Sequence, residues 1–156
     1  MKKSVAFFAL SFSLFCSFNW LAAQTQMHWD THGVGFSVPN DFKIDINNGD
    51  EFTAGNDHLL LSIMPIQDET VTEDNLADAV VEMATAMDYD VVNEADAIDI
   101  DDFTGYYVKG SLDEAHVVVM ALLDKKSSTN LLVVIAYDNG YENAAVKVAR
   151  SFYAYD

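Results

Sequence analysis

Two apolar runs near the C-terminal end constrain this chain most. Ala115–Leu123 and Leu131–Tyr137 carry Val, Leu, Ile, Ala and Met on both alternating faces, and Lys125-Lys126-Ser127-Ser128-Thr129 between them reads as a hairpin turn. A strand that is apolar on both faces has to be covered on both, and a hairpin makes the two strands antiparallel. The chain therefore needs a layer on each side of an antiparallel sheet. Leu59–Met64 reads the same way, as another central strand.

The covering layers are legible as two amphipathic helices. Thr72 is suited to an N-cap, and Glu73 and Asp74 place acid in the first turn where the helix dipole favours it. Leu76, Val80, Met83 and Met87 then form one helical stripe ending near Asp88. The second helix starts near Gly140, with Tyr141, Ala144, Ala145, Val148 and Phe152 on one side and Lys147 and Arg150 towards its C-terminal end. The two helices are expected over about residues 72–88 and 140–153.

The remaining segments read as strands. Gly33–Pro39 is closed by Pro39, which donates no ladder hydrogen bond. Phe42, Ile44 and Ile46 alternate with Asp41, Lys43 and Asp45, the pattern of a strand with one buried and one wet face, before a turn at Asn47–Asp50. A weak strand follows at Glu51–Ala54, and Ile98, Ile100 and Tyr106–Val108 continue the series between Val91 and Tyr137. Hairpin-linked strands with two helices predict an α+β fold, an α/β/α sandwich with a mainly antiparallel sheet.

This pattern resembles the PsbP-like and DcrB-like domains, a group that also includes a nuclear import factor binding the Ran GTPase. The similar features are Phe36-Ser37-Val38-Pro39 followed by Asp41-Phe42, and the Leu59–Met64 strand ahead of the helix capped at Thr72. Ile98–Gly105 leading into Tyr106-Tyr107, and the closing Ala149-Arg150-Ser151-Phe152, continue the likeness over residues 33–154. The resemblance implies an accessory, assembly or partner-binding module. It carries over no catalytic signature and no functional residue.

The N-terminal 23 residues read as a leader rather than as fold. Lys2 and Lys3 precede the apolar run Val5–Phe15, and Leu21-Ala22-Ala23 brings small residues before the polar stretch opened by Gln24. This is the layout of a secretory signal peptide cleaved after Ala23. The alternatives are a lipid anchor on Cys16, which the bulk of Phe15 disfavours, and an uncleaved anchor, which Ser11, Ser13, Ser17 and Asn19 weaken. The expected organisation is a signal peptide at 1–23, a flexible segment at 24–32 and a single domain at 33–156. The protein is expected to be periplasmic or secreted, with no stable membrane anchor after cleavage.

Cleavage removes two cations, no acid and the only cysteine, Cys16. The whole chain has a formal charge of −17, and the chain after Ala23, with six cations against 25 acids, has −19. Without thiols the mature form makes no disulfide, zinc–thiolate or iron–sulfur site. Its charge repels nucleic acid, while 51% hydrophobic residues argue for a packed core rather than a disordered acidic chain.

Each residue cluster that resembles a chemical site also has a simpler structural reading. His28, Asp30 and His32 resemble a metal set, but they lie near the mature N-terminus and supply too few rigid ligands. Asp45–Glu51 looks faintly like a calcium loop, yet Gly49 falls one position early for that pattern, so a turn is the better account. Asp96, Asp99, Asp101 and Asp102 suggest loose cation binding or, more simply, an acidic strand that resists edge aggregation. His116 lies on an apolar face and reads as a core or strand-end histidine. No nucleophile elbow, Walker loop or dinucleotide glycine cluster is present in the sequence.

The expectation is therefore no catalytic residue, no metal and no cofactor. Tyr106, Tyr107, Tyr137 and Tyr141 belong to a tyrosine-rich half and form the candidate interface, since tyrosine combines contact area with a polar tip. The reading is a non-catalytic accessory or partner-binding module of the cell envelope, with a protein partner of basic character. The alternatives are a secreted acidic hydrolase, and an acidic inhibitor or immunity protein that neutralises a basic enzyme.

Overall fold

The computed structural model describes residues 23–91 and 94–155. The strands begin with β1 (Gln24–Trp29), β2 (Val34–Pro39), β3 (Lys43–Asn47), β4 (Phe52–Gly55) and β5 (Leu59–Pro65). Helix α1 (Leu76–Ala86) leads to β6 (Asp90–Val91), β7 (Asp96–Ile100), β8 (Phe103–Leu112), β9 (Ala115–Asp124) and β10 (Asn130–Tyr137). Helix α2 (Glu142–Ala149) and β11 (Tyr153–Ala154) close the chain. The segment read as a signal peptide falls, but for Ala23, outside the described residues.

The large sheet has the order β3-β4-β5-β10-β9-β8-β6, with β7 also paired to β8, and all its pairings are antiparallel. The two runs that are apolar on both faces, β9 and β10, lie at its centre, where Val133 faces Met120 and Val134 faces Val119. The alternation splits their side chains between two cores. Val117, Val119, Ala121, Leu132 and Val134 pack under Leu76, Val80 and Ala84 of α1. Val118, Met120, Leu122, Leu131, Val133 and Ile135 belong to the opposite core with Ala145, Val148 and Ala149 of α2. The fold is the expected α+β sandwich.

The second outer layer is more than a helix. A small sheet, β1-β2-β11, joins α2 there and brings Trp29, Val34, Phe36 and Val38 into the same core. Residues 24–32, anticipated as a flexible lead-in, are instead strand β1 followed by a 3-10 turn at Asp30–His32. Pairing of β1 to β2 along its whole length, from Gln24 opposite Pro39 to Trp29 opposite Val34, and burial of the Trp29 ring provide the reason.

Four local expectations change. The stripe on α1 is Leu76, Val80 and Ala84, with Met83 and Met87 only half-buried, because the small Ala84 lets the helix lie close on the sheet. The second helix stops at Ala149 rather than 153. Tyr153 and Ala154 leave it to pair with Gly35 and Val34, and Phe152 stacks on Phe36 at 5.2 Å. Strand β3 is exposed throughout, since a bulge between Ile44 and Ile46 breaks its register at the sheet edge and no other described residue covers it. In β5, Leu59, Leu61 and Ile63 are buried but Leu60 is 47% exposed, because α1 lies over β8 and β9 and leaves the outer half of that face open.

Candidate functional site

The chain between β10 and α2 builds the most chemically diverse surface. Asp138-Asn139-Gly140 forms the turn, and Gly140 adopts φ +88, a left-handed conformation with open space around it. Asp138 N–H donates to the His58 carbonyl at 3.1 Å, and the His58 ring returns to the Asp138 carboxylate at 3.1 Å. The same imidazole stacks on Tyr141 with centroids 4.2 Å apart. On the other side of the turn, His116 stacks on Tyr137 at 5.4 Å, and its Nε2 lies 2.6 Å from Asn139 Oδ1.

Beside these pairs opens a cleft of about 420 Å³, lined by Lys109, Ser111, His116, Tyr137, Asn139 and Glu142. Lys109 Nζ donates to Glu142 Oε1 at 3.1 Å, and this hydrogen bond raises the ammonium pKa. Burial raises the Tyr137 phenol, so it stays a protonated donor. Lys109 also borders a second, shallower cleft of about 90 Å³ with Tyr107, Val118, Met120, Val146 and Arg150. A polar cleft and an apolar one thus meet at a single lysine along α2.

The four candidate tyrosines are not one patch. Tyr137 lines the polar cleft, Tyr141 stacks on His58 at the adjoining turn and Tyr107 lines the apolar cleft, whereas Tyr106 packs in the α1 core. Adjacent residues of a strand point to opposite faces, which separates Tyr106 from Tyr107. His58, Asp138 and Asn139 were not singled out by sequence. His58 and Asp138 are 80 positions apart and carry no local pattern.

Other sequence candidates are engaged elsewhere. His28 Nε2 meets the Tyr153 hydroxyl at 2.9 Å, while His32 Nε2 meets the Gly49 carbonyl at 2.7 Å and its ring tilts on Trp29. Asp30 accepts from the Tyr155 hydroxyl, which holds that phenol protonated up to about 12. Asn48 Oδ1 accepts from the Asp50 and Glu51 amides, so the calcium-like segment is a closed turn. Asp99 pairs with Lys125, and Asp102 with Lys126 at 3.2 Å. Among the described residues no three His, Cys, Asp or Glu side chains converge as a metal site.

Asp102 ties the hairpin turn to the C-terminal strand. The Ala154 amide donates to it at 3.0 Å, and this bond first, with Lys126 second, holds the carboxyl below the usual range. A carboxyl whose pKa is lowered by folding stabilises the folded state above its unfolded value, about 3.9. That contribution disappears as pH falls through the lower folded value. Asp102→Asn is therefore expected to flatten the stability–pH curve below about pH 4. Parallel urea titrations at pH 3 and pH 7 check this, and an unchanged slope for the variant would refute it.

Two further clefts have their own character. One, of about 420 Å³, includes His32, Asp102, Lys126 and Tyr155, whose polar groups already bond one another, the Asp30 carboxylate or the backbone. The other, of about 510 Å³ along α1, is lined by Asp68, Val71, Asp78, Glu82 and Met83. The Thr70 hydroxyl and amide hold Asp68 ionised by lowering its pKa. No Lys or Arg occurs between Lys43 and Lys109, so the α1 layer carries acid without cation.

No protein-family model matches the chain, and no curated protein matches it in sequence. Solved structures do match. The solution structure of cyanobacterial PsbP (CyanoP) from Synechocystis sp. PCC 6803 aligns with a TM-score of 0.61 at 18% identity, covering 90% of this chain and 97% of that one. The Ran-binding protein Mog1p of Saccharomyces cerevisiae aligns with a TM-score of 0.57 at 12% identity, covering 86% and 97%. A Mog1 point mutant gives 0.54 at the same identity and coverage. The chain has the PsbP-like fold, which Mog1 shares.

Proposed function

We propose that this protein is an exported, non-catalytic accessory module that binds a protein partner through the surface between β10 and α2. The observation that carries the reading is the juxtaposition there of two histidine–tyrosine stacks with an apolar cleft that holds Tyr107. Aromatic groups with polar tips beside apolar floor are the composition of interface centres. The fold is shared with a Ran-binding protein, which supports a binding role by analogy. Tyr107, Tyr137 and Tyr141 would make the contact, and Tyr106 would serve the α1 core instead.

A hydrolase would need a carboxyl poised as an acid or a nucleophile paired with a base. The carboxyls that clearly shift, Asp68 and Asp102, shift downwards, which suits structural anions better than a general acid. The cation-free stretch from residue 44 to 108 favours a basic partner, with association steered by charge. An inhibitor or immunity protein for a basic enzyme is one form of this reading.

Capture of the tagged protein from its native cell envelope is the test. The expected result is a stoichiometric basic partner, lost on Tyr141→Ala, and a captured chain that begins at Gln24. Its association rate should fall roughly tenfold between low and high salt, as steering is screened beyond about 8 Å at physiological ionic strength. No partner, or a chain retaining Met1, would reject the binding or export reading respectively. A salt-independent rate would reject the steering.

A further inference from the structure

The cleft at the start of α2 contains a donor with nothing to donate to. Tyr137 is 7% exposed, yet among the described residues no hydrogen bond reaches its hydroxyl. No fully enclosed side-chain oxygen or nitrogen goes unpartnered among them, so this oxygen opens onto the cleft that Tyr137 lines. Lys109 and Glu142 line the same cleft as Tyr137. A hydroxyl that opens onto a cleft is satisfied by whatever fills it, water or a polar group of a ligand.

The remaining lining sets donors beside the acceptors of Asn139 and Glu142. Lys109 supplies an ammonium and Ser111 a hydroxyl, and His116 stands opposite Ser111 in the β8–β9 register. The first turn of α2 opens beside them, and its N-cap, Tyr141, provides no side-chain acceptor. Exposed amides and the dipole at a helix start favour an anion. Glu142 is the acceptor now seated on Lys109, and with 60% of its side chain exposed it is displaceable.

We propose that this cleft binds a monocarboxylate with an apolar tail. Once Glu142 is displaced, the Lys109 ammonium together with neutral hydroxyl donors suits a single negative charge. A dianion such as phosphate would lack compensation in a chain of charge −17. The volume of about 420 Å³ exceeds what a carboxylate alone fills, and Lys109 links it to the apolar cleft over Val118 and Met120, where the tail lies. The carboxylate comes either from a small organic acid or from the C-terminus of a protein chain that ends in an apolar residue. The inference rests on the binding reading above only in taking this surface as open to a ligand.

The test is a nuclear magnetic resonance titration of the purified protein with hexanoate, with N-acetyl-Ala-Leu, and with N-acetyl-Ala-Leu-amide. The two acids should shift the resonances of residues 109, 111, 137 and 140–143, and the amide should not. Equal binding of acid and peptide amide, or shifts confined to other surfaces, would overturn the proposal. Hexanoate equal to the dipeptide points to a small acid, and the dipeptide alone points to a protein C-terminus; both outcomes support the carboxylate site.

Tyr137→Phe removes only the unpartnered oxygen. It should keep the wild-type melting temperature and weaken the acids roughly fivefold, the scale of one net hydrogen bond. Glu142→Gln should strengthen them roughly threefold by removing the carboxylate that competes for Lys109, at the scale of an exposed ion pair. Unchanged affinity in both variants would reject the assignment. Partner capture that survives Tyr137→Phe while the acids fail to bind would end this inference and leave the binding reading standing. Failure of capture with intact carboxylate binding would do the reverse.

Discussion

Gly105→Ala is expected to destabilise the protein by about 3 kcal/mol or more, at the upper end of single-substitution effects. Gly105 lies in the middle of β8, between Ile98 of β7 and Leu122 of β9. A Cβ there would stand 1.9 Å from the Ala121 carbonyl oxygen and 3.1 Å from Leu122 Cα. These are backbone atoms of the central strand, so no side-chain rotation relieves the clash. The strands must separate where Phe103, Met120 and Leu122 are buried, and the loss combines broken ladder bonds with disturbed packing. Gly49→Ala is the control, because its Cβ would meet only Thr31 Cγ2 at 3.7 Å. Urea denaturation of the pair should give a large drop in midpoint for the first and almost none for the second. A Gly105 variant within about 1 kcal/mol of wild type would mean that the β8–β9 spacing relaxes freely.

Trp29→Ala should cost about 3–5 kcal/mol, the usual range for removing a large aromatic from a core. The ring is fully buried, lies in the same core as Phe36, Phe52 and Phe152, and donates its indole N–H to the Asn48 carbonyl at 2.6 Å. Trp29→Phe should retain most of the packing and lose about 1–2 kcal/mol, chiefly from the carbonyl left without its donor. Thermal unfolding followed by circular dichroism checks both. The result bears directly on the N-terminal segment. If residues 24–32 were only a lead-in to the domain, both substitutions would be nearly silent.

The two predictions fall on opposite sides of what could be read from the chain. Strand β8 was visible in the sequence, through Tyr106–Val108 and the approach to Gly110. That Gly105 is crowded by the Ala121 carbonyl was not, because the crowding depends on a neighbouring strand sixteen residues further on. Trp29 was visible only as part of His28-Trp29-Asp30-Thr31-His32, which invited a metal reading. Its burial depends on β2 pairing beside it and on the small sheet packing against the large one, where Phe36 meets Phe52 of β4 and the indole reaches the Asn48 carbonyl.

The candidate surface divides in the same way. Tyr137 and Tyr141 were marked by composition, and the structure puts Tyr137 in the polar cleft and Tyr141 on His58 at the turn beside it. Tyr106 was marked equally, yet it packs on the other side of the sheet from Tyr107. Strand alternation made that separation readable in principle, once Tyr106–Val108 was taken as a strand. His58 and Asp138 offered no comparable signal, since their partnership exists only after β5 and β10 have paired.

What the sequence determined by itself is what short-range periodicity encodes. The hairpin of β9 and β10 is apolar on both faces, so a covered antiparallel sheet is required whatever the partners. The polar–apolar spacing from Thr72 to Met87 makes a helix for the same local reason. Tertiary structure alone decided which elements provide the cover. The exit of the chain from α2 at Ala149, the stacking of Phe152 on Phe36 and the pairing of Tyr153 with Gly35 are contacts across more than a hundred residues. Such contacts form only when chain closure is repaid by burial summed over many groups, and no window of neighbouring residues contains that sum.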